Sequence, residues 1–164
     1  MAAKQTKEHP FHSGEVYHLW NYLYDTKHLL VFLQVWINHC GDEELKNYME
    51  DLTESCIVQE EENVEGILKD AGIRLPPAPP DRPHVEVEDI PAGARLNDPE
   101  IFFIVQHVLM QQRATSSFIT GISIREDIRS MFGEFHSQQE EYEEKLLALA
   151  KEKGWLVMPP INIK

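Results

Sequence analysis

Two pairs of acidic and histidine residues have the spacing with which one helical turn can present two ligands to a metal ion. They are Glu15 with His18 and Asp25 with His28, each a carboxylate followed three residues later by an imidazole. A di-metal site among four helices needs a glutamate from each of two helices and a Glu-x-x-His pair from each of the other two. Both pairs here lie on one predicted helix, and a helical wheel turns Asp25 and both histidines outward. We interpret them as solvated side chains and predict no metal ligands.

Two acidic runs are the other candidates for carboxylate chemistry, "QEEENVE" at 59–65 and "QQEEYEEK" at 138–145. Successive helical residues are about 100° apart, so the glutamates of a run cannot all face one way. The wheel brings Glu62 nearest the interior and leaves Glu60 and Glu61 in solvent. No glycine-rich phosphate loop, GxSxG sequence or activated nucleophile accompanies these runs. The sequence therefore predicts no catalytic residues.

The wheel also predicts a polar layer in the interior, at mid-height of the helices. Its members are six neutral amides, one ammonium group and one carboxylate: Lys27, Gln59, Glu62, Asn63, Gln111, Gln112, Gln138 and Gln139. Amides are weak ligands, and Lys27 puts a positive charge where a cation would bind, so the layer does not fit a conventional di-iron site and no cofactor is expected. A buried ammonium group needs a partner, so we expect Lys27 to pair with Glu62 or a nearby carboxylate. The layer is either a hydrogen-bond network that fixes helix register or the remnant of a lost metal site.

Four segments with helical periodicity position these residues. Their boundaries are Ser13 to about His39, Asp42 to Gly72, Asp98 to about Gly121, and Ser123 to Gly154. Ser13, Asp42, Asp98 and Ser123 are interpreted as N-caps, and Asn97 with Glu100 has capping-box spacing. All ten prolines fall outside helix interiors, which predicts an all-α fold.

The connection between the second and third helices, residues 73–97, carries six of the ten prolines. A helix of 25 residues is about 37 Å long, and a proline-rich segment spans that length in about a dozen residues. A full-length crossover makes the second and third helices parallel, as in ferritin-like bundles. A linker between two separate hairpins is the alternative, but a lone hairpin cannot bury its apolar face. We therefore predict a ferritin-like four-helix bundle as a single domain at 13–164, with a tail at 1–12, the crossover at 73–97 and a second tail at 155–164.

Two helix halves are apolar almost all round, "LLVFLQVWI" at 29–37 and "IFFIVQHVLM" at 101–110. A helix that is apolar on every side needs cover on every side. The crossover places both halves at one end of the bundle, where six side chains are predicted to form an outward patch: Leu29, Phe32, Trp36, Phe102, Phe103 and Met110. Such a patch favours a symmetric homodimer. Cover by the crossover or by the C-terminal "WLVMPPI" is the alternative.

The bulk composition limits the partners. The 164-residue chain has a formal net charge of −13, which disfavours nucleic acid and anionic membranes. It has no apolar run of membrane-spanning length and no signal-peptide core at the N-terminus, so we expect an intracellular, cytoplasmic protein. The two cysteines, Cys40 and Cys56, form no CxxC pair and indicate no redox chemistry.

Six short stretches, in order, carry a resemblance to a known family: "EVYHLW", "GDEELKNYMED", "GIRLPP", "RLNDPEIF", "REDIRSMF" and "EKGWLVMPP". Over about residues 13–160 the chain resembles ferritin-like domains of endospore-forming bacteria related to spore coat protein F. The resemblance implies the four-helix fold and a link to sporulation, and with it a spore-associated location as the alternative to a cytoplasmic one. It carries over no catalytic residue, because that group has no established activity, and this chain lacks the ligands of its iron-binding relatives. Many relatives carry two bundles in tandem, which favours pairing between single-bundle chains.

These observations predict a non-enzymatic structural or interaction protein that acts as a helical homodimer and has a role in sporulation. The alternative is a ferritin-like metal-binding or oxidative protein with a non-standard site.

Overall fold

The computed structural model describes residues 9–162, which form four helices. The first is α1 (Ser13–His39). The second is one continuous rod made of α2 (Glu43–Leu52), a π-helical turn (Thr53–Ile57) and α3 (Val58–Asp70). The third and fourth are α4 (Asp98–Ile122) and α5 (Glu126–Lys153). No strand occurs within residues 9–162, so the all-α prediction is confirmed.

Capping chemistry fixes several helix ends where the sequence predicts them. The Asp42 carboxylate accepts the backbone N–H groups of Glu44 and Leu45, both at 3.0 Å, and so caps α2. At the other ends, α3 is followed by Gly72 with φ 70° and α5 by Gly154 with φ 73°. Both angles lie in the left-handed region, which glycine adopts without the steric penalty of a β-carbon.

Three predicted N-caps are wrong. The N-cap of α1 is His12, whose Nδ1 accepts the N–H of Gly14 at 3.1 Å, and Ser13 is already helical. The N-cap of α4 is Asn97, whose N–H donates to Glu100 at 2.7 Å; Asp98 instead accepts the N–H of Gly41 at 2.8 Å. Ser123 ends α4 and does not begin α5.

Just before α5, an acid from another helix binds the backbone. The buried Glu15 of α1 accepts the backbone N–H groups of Ile124 at 2.8 Å and Arg125 at 3.2 Å. Because this acceptor lies more than 100 residues away in the chain, no local sequence pattern predicts it.

The core consists of two apolar clusters, one at each end of the helices. The first joins the second half of α1 to α2, the first half of α4 and the second half of α5, through residues such as Leu33, Met49, Leu109 and Leu146. The second joins the first half of α1 to α3, the end of α4 and the start of α5. Helix α1 is therefore antiparallel to the α2–α3 rod and to α4, and the rod runs parallel to α4.

The connection between α3 and α4 follows α1. Trp20 donates its indole N–H to the carbonyl of Arg74 at 2.9 Å, and Gln34 donates to Asp81 at 2.9 Å. Near the other end of α1, His39 Nε2 is 3.3 Å from the carbonyl of Ala94. Residues 20 to 39 of a helix span about 28 Å, so the connection runs beside most of α1.

The π-helical turn at Thr53–Ile57 interrupts an otherwise regular rod. The N–H of Val58 donates to the carbonyl of Thr53, five residues earlier, where an α-helix uses four. The turn thus holds one extra residue. The inward positions of the rod are spaced four residues apart through it, at Leu52, Cys56, Glu60, Val64 and Leu68.

Candidate functional site

Between the two apolar clusters lies a hydrogen-bond network around one fully buried carboxylate, that of Glu60. Tyr22 donates its hydroxyl to Glu60 Oε2 at 2.6 Å, and Gln139 donates its amide to Glu60 Oε1 at 2.8 Å and to Tyr22 Oη at 3.1 Å. Ser116 donates to Gln139 Oε1 at 3.2 Å, and the Cys56 thiol lies 3.4 Å from Glu60. These five residues, the Glu60 network, come from all four helices.

Burial dominates the electrostatics of the Glu60 network. It raises the pKa of Glu60 to about 7, although the hydrogen bonds from Tyr22, Gln139 and Cys56 act in the opposite direction. Burial, together with the nearby Glu60 charge, raises the pKa of Tyr22 well above its usual value, and the same two causes raise the pKa of Cys56. Glu60 is therefore the member of the network that titrates near neutral pH.

Lys27 lies one turn further along α1 and makes a separate ion-pair cluster with α3. Its Nζ is 2.5 Å from Glu61 and 2.6 Å from Glu65, and Lys69 approaches the second carboxylate at 3.5 Å. Burial lowers the pKa of Lys27, but the hydrogen bonds to the two glutamates outweigh it, so that its pKa is raised. The expectation that Lys27 finds a carboxylate holds, with Glu61 and Glu65 in place of Glu62.

Only part of the predicted polar layer lies in the interior. Three of its members are buried: Lys27, Gln112 and Gln139. Gln138 is half-buried and donates to the carbonyl of Ser55 at 2.8 Å. Four members are exposed, and their placement in the layer is wrong: Gln59, Glu62, Asn63 and Gln111.

The π-helical turn explains the three misplaced residues of α3. A wheel with a constant 100° step assigns the inward face to Gln59 and Asn63, but the extra residue in the turn shifts that face to Glu60 and Val64. Glu60, expected in solvent, is consequently the central acid. Its signal in the sequence is the four-residue spacing of Cys56, Glu60, Val64 and Leu68.

The carboxylate–histidine pairs of α1 do not come together as a ligand set. Glu15 is buried and serves the backbone before α5, and Asp25 is exposed. The His18 ring packs edge-on against Phe118, and His28 Nδ1 is 2.8 Å from its own helix at Tyr24 O. Within residues 9–162, no group of three or more His, Cys, Asp or Glu side chains is arranged to hold a metal ion.

A second feature is the outward surface of α1 and α4, which exposes large apolar side chains. Phe32 is 51% exposed, Phe103 58% and Met110 50%, and the half-buried Trp36 stacks on Phe32. Phe118, which the sequence analysis missed, extends this surface and is 52% exposed. We call these five residues and the backbone that carries them the α1/α4 face. The signal for Phe118 is its helical spacing from Phe103 and Met110, at intervals of seven and eight residues.

Two residues of the predicted patch are not on the α1/α4 face. Leu29 and Phe102 are buried in the first apolar cluster, so their assignment to the patch is wrong. Trp155 and Leu156 of the C-terminal segment pack against that same cluster. The helices and the C-terminal segment therefore cover part of the apolar surface, while Phe32, Phe103 and Met110 stay exposed.

Most of the α1/α4 face lies in segments without charged residues. Residues 28–39 of α1 and 101–112 of α4 contain no Asp, Glu, Lys or Arg. By contrast, the rod at 43–70 carries ten acidic residues and α5 carries eight. A groove of about 410 Å³ lies between α1 and α4, with Leu29 and Val108 among its lining residues and Phe32 and Trp36 on its α1 side.

Comparison with known proteins assigns the family. Residues 1–164 match the model of a family described as "Protein of unknown function (DUF3231)". The uncharacterized protein YvdQ of Bacillus subtilis (strain 168) is 39% identical over 158 residues, which cover 96% of this chain and 92% of YvdQ. The chain belongs to the DUF3231 family.

Two solved structures are similar to this DUF3231 chain. A Bacillus halodurans C-125 protein described as a "putative spore coat protein" is 42% identical, with a TM-score of 0.92 over 95% of this chain and 98% of that one. A conserved hypothetical protein of Mycobacterium tuberculosis is 8% identical, with a TM-score of 0.66 over 85% of this chain and 99% of that one. The second likeness concerns the fold alone.

Two further observations concern the helices and the cysteines of the DUF3231 chain. Among the helices of residues 9–162, none combines the length and apolar character needed to span a membrane. Both cysteines are free and buried. Burial raises the pKa of Cys40 to about 12, so this thiol is protonated and poorly nucleophilic at neutral pH.

Proposed function

We propose that this DUF3231 protein is a non-enzymatic structural or interaction protein that works as a homodimer joined through the α1/α4 face. The observation that carries the proposal is the exposure of Phe32, Phe103, Met110 and Phe118 on one surface, most of which lies in uncharged segments. Soluble monomers rarely leave large contiguous apolar patches exposed, and larger ones mark association sites.

The charge distribution favours a second copy as the partner. Two chains that each carry a net charge of −13 repel one another at most orientations. The repulsion is smallest where carboxylates are sparse, and residues 28–39 and 101–112, which carry four of the five residues of the α1/α4 face, contain none. A basic partner would be drawn instead to the acidic rod and to α5.

The fold relation is part of the same proposal. We interpret the fold as a ferritin-like bundle with a proline-rich crossover, because the α2–α3 rod runs parallel to α4 and the connection of 25 residues follows α1. The likeness to the Bacillus halodurans protein supports a role in the spore coat, and with it the relation to spore coat protein F.

The Glu60 network supports the non-enzymatic reading. Its polar groups bond to one another, and Glu60, Ser116 and Gln139 are fully buried. We propose that it fixes the relative register of the four helices, since a shift of any one of them would leave buried polar atoms unpaired. The metal-binding alternative would require a bound ion here, and elemental analysis that finds stoichiometric iron, manganese or zinc in the purified protein would contradict the proposal.

Sedimentation velocity at micromolar concentration tests the dimer. We expect the parent protein to sediment as a dimer and Met110→Glu to weaken the dimer about a hundredfold or more. In the variant, the interface has to bury two additional unpaired carboxylates, one from each copy. Met110 is half exposed in the single chain, so the substitution leaves the fold of the subunit intact.

Val85→Glu is the matched control. Val85 is an exposed apolar residue on the connection between α3 and α4, away from the α1/α4 face, and its replacement should leave the dimer unchanged. A parent protein that is monomeric at these concentrations, or a dimer that Met110→Glu does not weaken, would refute the proposal.

A further inference from the structure

We propose that the two copies meet through their α4 helices in antiparallel orientation, so that Phe103 of one copy lies against the partner subunit's Phe118. The inference rests on the proposed homodimer and adds its geometry. In this arrangement α4 lies at the centre of the interface, and Phe103 and Phe118 are the residues that meet across it.

The positions of the exposed residues along α4 support this arrangement. Phe103 lies near the start of the helix, Met110 near the middle and Phe118 near the end, and all three are at least half exposed. Reversing one copy of this ridge places each phenylalanine against the other phenylalanine of the partner subunit. It also brings the two Met110 side chains close to the two-fold axis. An isologous interface has this self-complementary character.

Charges at the two ends of α4 favour the antiparallel over the parallel orientation. The first turn of α4 is acidic, with Asp98 and Glu100. Beside its last turn lies a cation: Arg129 of α5 is exposed and donates to the carbonyls of Thr120 at 2.6 Å and Ser123 at 3.3 Å. Antiparallel helices bring the acidic end of one copy to this end of the other, where Arg125 and Arg129 balance the charges of Glu126 and Asp127. Parallel helices would bring the two acidic ends together, and like charges repel.

The size of the surface suits a dimer. Helix α4 has 25 residues and is therefore about 37 Å long. With α1 beside it at an ordinary interhelical distance, the two helices present about 700 Å², close to the ~800 Å² per partner of a standard stable interface. The groove of about 410 Å³ between α1 and α4 can accept a side chain of the opposite ridge, and the flexible Met110 suits an irregular groove.

Cysteine cross-linking tests the geometry on the full chain. Phe103→Cys and Phe118→Cys are purified separately, then mixed, equilibrated and exposed to a short bifunctional thiol reagent, and covalent dimers are identified by mass. We expect the mixture to give the dimer of one Phe103→Cys and one Phe118→Cys chain at least about tenfold faster than either variant alone gives a covalent dimer. Met110→Cys alone should cross-link to itself. The native Cys40 and Cys56 are buried and serve as an internal background.

The outcomes separate this inference from the proposed function. Rapid self-cross-linking of Phe103→Cys would indicate parallel α4 helices and overturn the inference. So would a mixture that reacts no faster than its components while sedimentation still finds a dimer, because the interface would then lie elsewhere. A protein that sediments as a monomer removes the proposed homodimer itself. Sedimentation of both variants before the reaction confirms that the substitutions have left association intact.

Discussion

Between about pH 4 and about pH 8, the Glu60→Gln variant is expected to gain about 3 kcal/mol in unfolding free energy relative to the parent protein. The prediction concerns the difference in unfolding free energy between the variant and the parent protein, and how that difference changes with pH. A constant offset is expected as well, because both oxygens of Glu60 accept hydrogen bonds, from Gln139 and Tyr22, and glutamine replaces one of them with an NH2 group that donates.

The variant gains stability relative to the parent protein because Glu60 holds its proton more tightly in the folded protein than in the unfolded chain. The pKa of Glu60 rises from 4.5 to about 7 on folding, so between these values the folded protein holds a proton that the unfolded chain has released. The folded parent protein therefore loses stability as the pH rises through this window, and above it the loss is constant. Glutamine does not titrate, so the variant avoids the loss.

The neighbours of Glu60 do not add a competing titration in this range. On α1 it faces Tyr22, and in the π-helical turn it faces Cys56; both pKa values are raised, so both groups stay protonated. On α4 and α5 the network contributes Ser116 and Gln139, which carry no charge at these pH values.

Chemical denaturation across this pH range, at one protein concentration, measures the effect. Glu62→Gln is the matched control, because it makes the same chemical change two residues away at an exposed position. We expect its stability difference from the parent protein to stay constant with pH. If the difference for Glu60→Gln is equally constant, the buried carboxylate does not titrate as inferred.

Deletion of one residue should have opposite outcomes in two parts of the α2–α3 rod. Removing Glu54 from the π-helical turn takes out the extra residue, and the turn can close as a regular α-helix with both flanking segments in place. Glu54 is exposed, so no core contact is lost. We expect this variant to stay folded, within about 2 kcal/mol of the parent protein.

Removing Glu62 from α3 has no such compensation. The residues that follow are rotated by about 100°, which turns Val64 and Leu68 out of the core. Both side chains are fully buried, so we expect a loss of about 4 kcal/mol or more. Circular dichroism with thermal unfolding compares the two deletions. If both are equally damaging, the turn is needed in its π form; if both are tolerated, α3 contributes little to the core.

A feature of this fold can be predicted from the sequence when the residues that determine it are close together in the chain. The helices and the glycine stops at Gly72 and Gly154 follow from periodicity and backbone preference, which are local properties. The backbone just before α5 does not, because the N–H groups of Ile124 and Arg125 donate to Glu15, more than 100 residues away in the chain. Hydrogen bonds between distant segments leave no local pattern.

In the candidate site, too, some buried positions follow from local helical periodicity and others do not. Upstream of the π-helical turn a regular wheel applies, since Leu45 and Leu52, seven residues apart, are both buried. Downstream it fails, because a one-residue change in the turn rotates everything that follows. On α4 and α5 it assigned adjacent glutamines to the interior, and only Gln112 and Gln139 of the two pairs are buried. Which neighbour points inward depends on packing between helices.

The long connection at 73–97 has a consequence for how the polypeptide holds together when it is cut. It is the covalent link between the α1–α3 half and the α4–α5 half, which also share the two apolar clusters. Residues 84 and 85 within it are exposed. Both clusters draw side chains from both halves, so neither fragment has a complete core of its own. A protease nick there should leave an associated pair of fragments, and fragments produced separately should be largely unstructured until they are mixed. The two halves are therefore expected to reassociate through their shared core after cleavage, as the fragments of a split protein do.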